Sequence, residues 1–263
     1  MKDILVTGAY GGMGRATVSA LAEKGFRVFT LDRKVGDKEQ NIIPIEADIT
    51  SEASVENAFD KVRSFTDSLS AIVHFAGIYM LDSLVEMDAQ EFHRLFSVNL
   101  FGVFLINKAF LPLLKEGSRI LITTSELAPL APLPFTGVYA VSKSALDKYA
   151  YTLRMELQLL GISVSVLRAG AVNTGMLGAS TDALDRFCEK TEIYTCNAAR
   201  FKKIVNSIEA RCIPTEKLAK KAIKILEKCH PAFVYTINRN PLLLLLNALP
   251  KRLQLWIIRK ILR

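Results

Sequence analysis

Tyr139-Ala140-Val141-Ser142-Lys143 sets a phenol and an ammonium four residues apart. On a helix such a pair shares one face. A phenol with a pKa of about 10 is a poor acid–base group at neutral pH. A neighbouring cation favours the phenolate, so Lys143 is expected to bring the Tyr139 pKa nearer the operating pH. Ser125 stands just past the apolar run Arg119–Thr123. From the carboxyl end of a strand, its hydroxyl can hold a substrate oxygen. Tyr-x-x-x-Lys is common on helices, and it gains meaning only beside Ser125 and a site for a second reactant.

That site is written near the start of the chain. Gly8-Ala9-Tyr10-Gly11-Gly12-Met13-Gly14 follows Ile4-Leu5-Val6 and opens a segment of helical period. Glycines here permit a tight strand-to-helix turn, close approach of the backbone to a pyrophosphate, and close packing of helix on sheet. The helix that follows aims its free amides at the phosphates. The turn from Gly8 to Gly14, Tyr10 and Met13 included, is the candidate dinucleotide cradle. Gly8, Gly12, Gly14 fit one spacing and Gly8, Gly11, Gly14 another, and the glycines alone do not choose. Asp32 ends the second apolar run, where a carboxylate accepts from ribose hydroxyls and repels a 2′-phosphate. NAD is therefore the expected cofactor, with NADP the alternative because Arg33 or Lys34 could turn towards a phosphate. No metal site is expected: Cys188, Cys196, Cys212 and Cys229 form no Cys-x-x-Cys pair and have no histidines at ligand spacing.

Strands are expected at Ile4–Val6, Phe26–Leu31, Ile42–Ile45, Ala71–Phe75, Arg119–Thr123, Ser163–Leu167 and Phe233–Ile237. Most are apolar at successive positions, which suits strands covered on both faces. Helical-period stretches alternate with them: Gly12–Lys24, Ser51–Phe65, Ala89–Leu114, Tyr139–Leu160 and Thr215–Cys229. The fold class is thus α/β, a doubly wound parallel sheet of the Rossmann kind with helices on both faces. Residues 1–240 read as one domain. The segment 175–213 breaks the rhythm and is expected to be a substrate-loop insertion over the carboxyl ends of the strands.

With these residues in place, the chain resembles the single-domain branch of the short-chain dehydrogenase/reductase family across residues 1–240. The resemblance rests on Thr7-Gly8-x-x-x-Gly12-x-Gly14, Asp48, Ala76-Gly77, Asn99, Ser125 and Tyr139-x-x-x-Lys143. It implies that Tyr139 is the general acid/base, that Ser125 orients the substrate oxygen, and that Lys143 binds the nicotinamide ribose. It implies that Asn99 holds a water of the proton relay and that Asp48 and Ile49 contact adenine. Ala76-Gly77 would pass behind the cofactor, and Val172 and Thr174 would contact the nicotinamide amide. A homodimer or homotetramer through the Ala89–Leu114 and Tyr139–Leu160 helices follows from the same resemblance. His74-Phe75 and Ala169-Gly170 depart from the family's Asn-Asn and Pro-Gly, and His74 is read as a structural histidine.

The formal net charge of +8 favours anionic partners, and much of it lies in the last third of the chain. No run approaches the roughly 20 apolar residues of a spanning helix, and the first residues lack the pattern of a secretory signal, so the mature chain is expected to begin near Met1. Four reduced thiols point to the cytoplasm. Leu127–Phe135 is almost wholly apolar. It is expected to border the substrate, an apolar alcohol or ketone of steroid, retinoid or fatty-acyl kind, unless it covers the core or a subunit interface. The tail 241–263 reads as a basic, apolar helix with two places to go: an anionic membrane surface, or the substrate loop or a second subunit. Nucleic acid is not an expected partner, since the basic residues form no recognition motif. The rival to an alcohol–carbonyl oxidoreductase is a catalytically silent, dinucleotide-sensing regulator on the same fold, and a third reading is a membrane-surface module.

Overall fold

Successive side chains of a strand point to opposite faces, so a run that is apolar throughout needs a core on each side. In the computed structural model, which describes residues 2–209 and 211–263 but not the side chains of 176–181 and 206–209, Leu5 lies in one core and Ile4 and Val6 in the other. The strands are β1 (Asp3–Thr7), β2 (Arg27–Asp32), β3 (Ile42–Glu46), β4 (Leu69–His74), β5 (Leu114–Ser125), β6 (Ser163–Ala169) and β7 (Val234–Ile237). They form a seven-stranded sheet in the order β3-β2-β1-β4-β5-β6-β7, parallel at every pairing. This is the doubly wound sheet expected from the sequence.

The helices are α1 (Gly12–Glu23), α2 (Glu52–Arg63), α3 (Ala89–Phe96), α4 (Gly102–Phe110), α5 (Gly137–Leu157), α6 (Gly175–Lys190), α7 (Thr195–Glu209), α8 (Thr215–Leu226), α9 (Pro241–Ala248) and α10 (Lys251–Leu262). α1 and α8 cover one face of the sheet through Val18, Leu21, Leu218 and Ile223. α2, α4 and α5 cover the other through Val55, Val62, Ile106, Phe110 and Leu146. Each such side chain contributes about 1.5–3 kcal/mol by leaving water. The strand order reverses between β1 and β4, and the crevice beyond their carboxyl ends is where an open α/β sheet takes its ligand.

Three segments differ from expectation. The stretch read as one helix over Ala89–Leu114 is two, joined by a π-helical turn at Ser97–Phe101. Taken together, Ala89–Leu113 is long and apolar enough to cross a membrane although its apolar residues form no unbroken run, yet 44% of its most apolar stretch is buried in this fold. The segment 175–213 is largely helical: α6 and α7 share a hydrophobic cluster of Leu184, Phe187, Ala198 and Phe201 with Leu81 and Phe135. The chain after β7 makes two helices rather than one, parted at Leu249-Pro250.

Candidate active site

Where β1 and β4 end, their continuations touch backbone to backbone. Gly8 has φ +65°, and a Cβ there would lie 2.4 Å from the Ala76 amide nitrogen. At Gly14 a Cβ would fall 2.1 Å from the Gly8 carbonyl oxygen, and at Gly12 2.9 Å from Cβ of Thr174. At Gly11 the nearest atom is 3.4 Å away, an ordinary contact. Sterics therefore require glycine at Gly8, Gly12 and Gly14, the spacing on which the resemblance rests and which the glycines alone did not choose. The N-cap of α1 is Gly11, which has no side chain to cap the first turn, and such an end suits an anionic ligand.

The turn forms one wall of a cavity of about 1400 Å³. Tyr10, Met13, Asp32, Arg33, Asp48, Ile49, Ala76, Gly77 and Thr174 complete that wall with the glycines. This exceeds the roughly 300–1,000 Å³ of a drug-sized pocket, and it suits an extended dinucleotide together with a second molecule. A close-approach glycine turn, an uncapped helix and an acidic residue at the end of β2 fit that group. Asp32 is held in place by its own surroundings: Oδ2 accepts from the Tyr10 amide at 3.1 Å and Oδ1 from the Arg33 amide at 2.8 Å. Asp48 accepts from the Thr50 hydroxyl at 2.7 Å and the Thr50 amide at 2.9 Å. The hydroxyl bond, chiefly, outweighs burial and keeps Asp48 below the usual carboxylate range, with the Thr50 amide and Arg33 assisting.

The proton-transfer candidates are buried behind the cavity wall and do not line it. Ser125, at the end of β5, lies close enough to the Tyr139 phenol to favour its ionised form, and Ser125 Oγ accepts from the Leu127 amide at 3.2 Å. Lys143 Nζ donates to the Thr123 carbonyl at 3.5 Å and stands 5.8 Å from the centre of the Tyr139 ring. A Cβ on Gly77 would be 3.3 Å from both Lys143 Nζ and Asn99 Oδ1, so these groups crowd the same point of the cavity wall. Asn99 projects inward from the π-helical turn. Its Oδ1 accepts from the Ile78 amide at 2.9 Å, and its Nδ2 donates to the Ile78 carbonyl at 3.0 Å and to Ser142 Oγ at 3.1 Å. Ser142 donates in turn to the Tyr139 carbonyl at 2.8 Å. α5 is fixed to the sheet by Asp147, which takes a two-pronged bond from Arg168 of β6 at 3.0 and 2.6 Å.

The electrostatics differ from the sequence expectation. Burial, first, and the neighbouring Tyr79 raise the Tyr139 pKa well above its ordinary value, against the opposing influence of the nearby Ser125 hydroxyl. Burial pushes the Lys143 ammonium down to about 8. The expected lowering of the phenol by Lys143 is not met, because both groups are desolvated and each is favoured in its neutral form. His74, as expected, is structural: it donates Nε2–H to Asn107 Oδ1 at 3.0 Å, and burial takes its pKa down to about 4.

Thus the structure gathers the cofactor-side candidates on the cavity wall and sets Ser125, Tyr139, Lys143 and Asn99 behind it. The Val172 side chain goes elsewhere, into the core under α1 and α8. Its backbone pairs with Ile213. Sequence reasoning missed Tyr79, whose ring lies 4.8 Å from that of Tyr139 and lines the cavity in front of it. Its place two residues past Ala76-Gly77 was the available signal. The loop Leu127–Phe135 backs the cavity rather than lining it: Leu127 packs with Tyr139, and the Phe135 ring lies tilted, 4.6 Å from that of Phe187, which does line it. α6 intervenes. Lys190 pairs with Asp82 at 2.8 Å, and Glu86 accepts from Thr191 Oγ1 and from the amides of Glu192 and Ile193. These bonds tie the α6–α7 corner to the segment after β4.

The sequence profile of the short chain dehydrogenase family matches residues 2–185. The chain belongs to the short-chain dehydrogenase/reductase family. As a short-chain dehydrogenase/reductase it is an NAD(P)-dependent oxidoreductase acting on a small molecule. A 3-ketodihydrosphingosine reductase of Bacteroides thetaiotaomicron is 27% identical over 88% of this chain and 85% of its own. An NADPH-dependent 1-acyldihydroxyacetone phosphate reductase of Schizosaccharomyces pombe is 31% identical over 69% of this chain and 65% of its own, so the likeness spans slightly under two thirds of that relative. A short chain dehydrogenase from Burkholderia cenocepacia, solved in complex with NADP, superposes with a TM-score of 0.75 at 22% identity, covering 98% of each chain. That likeness is one of fold.

Proposed function

We propose that this oxidoreductase reduces a carbonyl on an apolar, lipid-like molecule, with Tyr139 as the proton donor and NAD(H) as the favoured cofactor. The observation that carries the reading is that Tyr139, with Ser125 close enough to oppose the rise of its pKa and with Lys143 and Asn99 against Gly77, stands directly behind Tyr79 in the wall of a cavity whose other wall is the glycine turn. When bound, the nicotinamide supplies the hydride. Ser125 positions the carbonyl oxygen, and Tyr139 delivers a proton to the oxygen as negative charge grows there. A phenol whose pKa is raised stays protonated across the physiological range, so Tyr139 holds the proton that a reduction consumes. Lys143 Nζ, beside Gly77, is placed to bind a ribose hydroxyl. Asn99 holds Ile78 and, through Ser142, the first turn of α5, and so acts as a positioning residue in addition to its place beside the relay.

Tyr79, Met80, Leu81, Ala183 and Phe187 give the substrate side of the cavity an apolar lining. The names of the two reductases above, one of a ketosphingoid and one of an acyl ketone, agree with a long-chain substrate. Asp32, fixed by two backbone amides, supports NAD(H) over NADP(H). Exposed Phe92, Phe101, Phe104, Tyr151 and Met155 on α3–α5 and the turn between them support a homo-oligomer through those helices, and four free cysteines support a reducing, cytoplasmic setting. The decisive experiment is Tyr139→Phe assayed by nicotinamide absorbance on long-chain ketones. Turnover is expected to fall about 10²–10⁴-fold with cofactor affinity kept. Unchanged turnover overturns the reading, and a catalytically silent sensor would show no turnover in either protein.

A further inference from the structure

The chain after β7 has an inner and an outer side, and the two are built differently. The inner side is locked to the fold. Gln254 is buried, and its Nε2 donates to the carbonyls of Asn247 and Leu249 at 3.1 and 2.7 Å, fixing the corner between α9 and α10. Asn247 Oδ1 accepts from the Ala131 amide at 2.9 Å, Glu126 accepts from the Asn240 amide at 2.6 Å, and Asn197 donates to the Leu262 carbonyl at 2.5 Å. The pair of helices is therefore a platform set over the loop that backs Tyr139.

The outer side leaves apolar groups in water. Leu242 and Leu245 of α9 are exposed, as are Leu255 (68%) and Trp256 (60%) of α10. Arg252, Leu255, Trp256, Arg259 and Arg263 follow one another along the outward side of α10 at about one-turn spacing, with Lys260 beside them. No acidic residue follows Glu227, while Lys228, Arg239, Lys251, Arg252, Arg259, Lys260 and Arg263 do. A second copy of this face would meet like charge, and a phosphate backbone alone would leave the leucines in water. A bilayer answers both features, with anionic headgroups for the arginines and lysines and an acyl boundary for the leucines and Trp256.

We propose that the outer side of α9–α10 docks on the surface of an anionic phospholipid bilayer, setting the enzyme on the membrane with the loop that backs Tyr139 beneath the platform. This goes beyond the catalytic reading and does not depend on it. Trp256 is the only tryptophan in the chain, so its fluorescence reports the contact directly. The full-length protein, without cofactor, is mixed with phosphatidylcholine vesicles with or without phosphatidylserine. We expect co-sedimentation and a blue shift with the anionic vesicles only, reversed by high salt. Each neutralised basic residue should cost about fivefold in partitioning, so Arg252→Gln with Arg259→Gln should weaken binding by an order of magnitude or more. Leu242→Ser with Leu245→Ser, on exposed positions, should weaken it with the charges intact. An unshifted Trp256 with the protein left in the supernatant overturns the proposal. So does a shift that grows with protein concentration and needs no vesicles, or binding to duplex DNA as tight as to vesicles. Turnover of a water-soluble ketone by these variants should match the parent, which separates failure of this surface from failure of the catalytic assignment.

Discussion

The wall proposed to face the cofactor and the wall proposed to face the substrate are made from different materials. The first is backbone: Gly8 against Ala76, Gly14 against the Gly8 carbonyl, an uncapped helix end and a carboxylate pinned by two amides. The second is side chains drawn from far apart in the chain. Leu81, Phe135, Leu184, Phe187, Phe201 and Leu262 meet in one cluster, and Glu86 and Asp82 hold the α6–α7 corner. Backbone contact allows one residue type and no adjustment. A cluster of side chains can be repacked with modest loss. One fold can therefore keep its hydride chemistry while its substrate varies.

That contrast can be broken most severely at the cradle. Gly14→Val drives a side chain into the Gly8 carbonyl and should reduce cofactor affinity by on the order of a hundredfold or more, or unfold the βαβ unit. Titration of nicotinamide fluorescence reads the first outcome and circular dichroism the second. Gly11→Ala, three residues earlier, should change affinity by no more than a few-fold; equal damage at both positions would undo the steric assignment.

The next effect is at Lys143. Its pKa in the fold, about 8, lies below the ordinary 10.5. Below pH 8 the native state bears the full cost of a buried charge. Between pH 8 and 10 the native lysine sheds its proton while the unfolded one keeps it, so stability rises with pH. Lys143→Met should stabilise the cofactor-free protein at pH 7 by about 3 kcal/mol and flatten that rise, while depressing turnover. Urea unfolding at several pH values measures it. Asp32→Ser should shift preference towards NADP(H) by about tenfold, read as a ratio of kcat/KM values. The smallest change is expected on the substrate wall. Glu86→Ala should raise the KM for a long-chain ketone about threefold and leave cofactor affinity alone. Loss of cofactor affinity there would show that the two walls are not independent.

What could be read before folding follows the same division. The seven strands, the glycine turn, Asp32, Ser125 and the Tyr139–Lys143 pair were legible because strand period and glycine geometry are local. The helices α6 and α7 were not, because mixed composition there hides a face that only Phe135 and Leu81 complete. Tyr79 over Tyr139 was invisible for the same reason, since ring contacts between separate loops leave no periodic trace. The opposed pKa shifts of Tyr139 and Lys143 needed burial, which spacing does not report. The tail's polarity was visible as a basic stripe, yet its locked inner side depends on Asn247 meeting Ala131, a contact 116 residues apart.

The π-helical turn at Ser97–Phe101 has a consequence for how this helix tolerates insertion and deletion. One extra residue in a helix advances everything beyond it by most of a third of a turn. Here the wide turn admits the extra residue, and Phe92 with Phe96, and Phe101 with Phe104, form stacked pairs on either side of it while Asn99 points inward. Removing any one residue of the turn would restore a regular helix and still be a frame error in space. The aromatic pair downstream would swing off its face, and the amide that grips Ile78 would be carried away from it. Loops elsewhere can lose a residue and keep their meaning; this stretch is one where length itself is encoded.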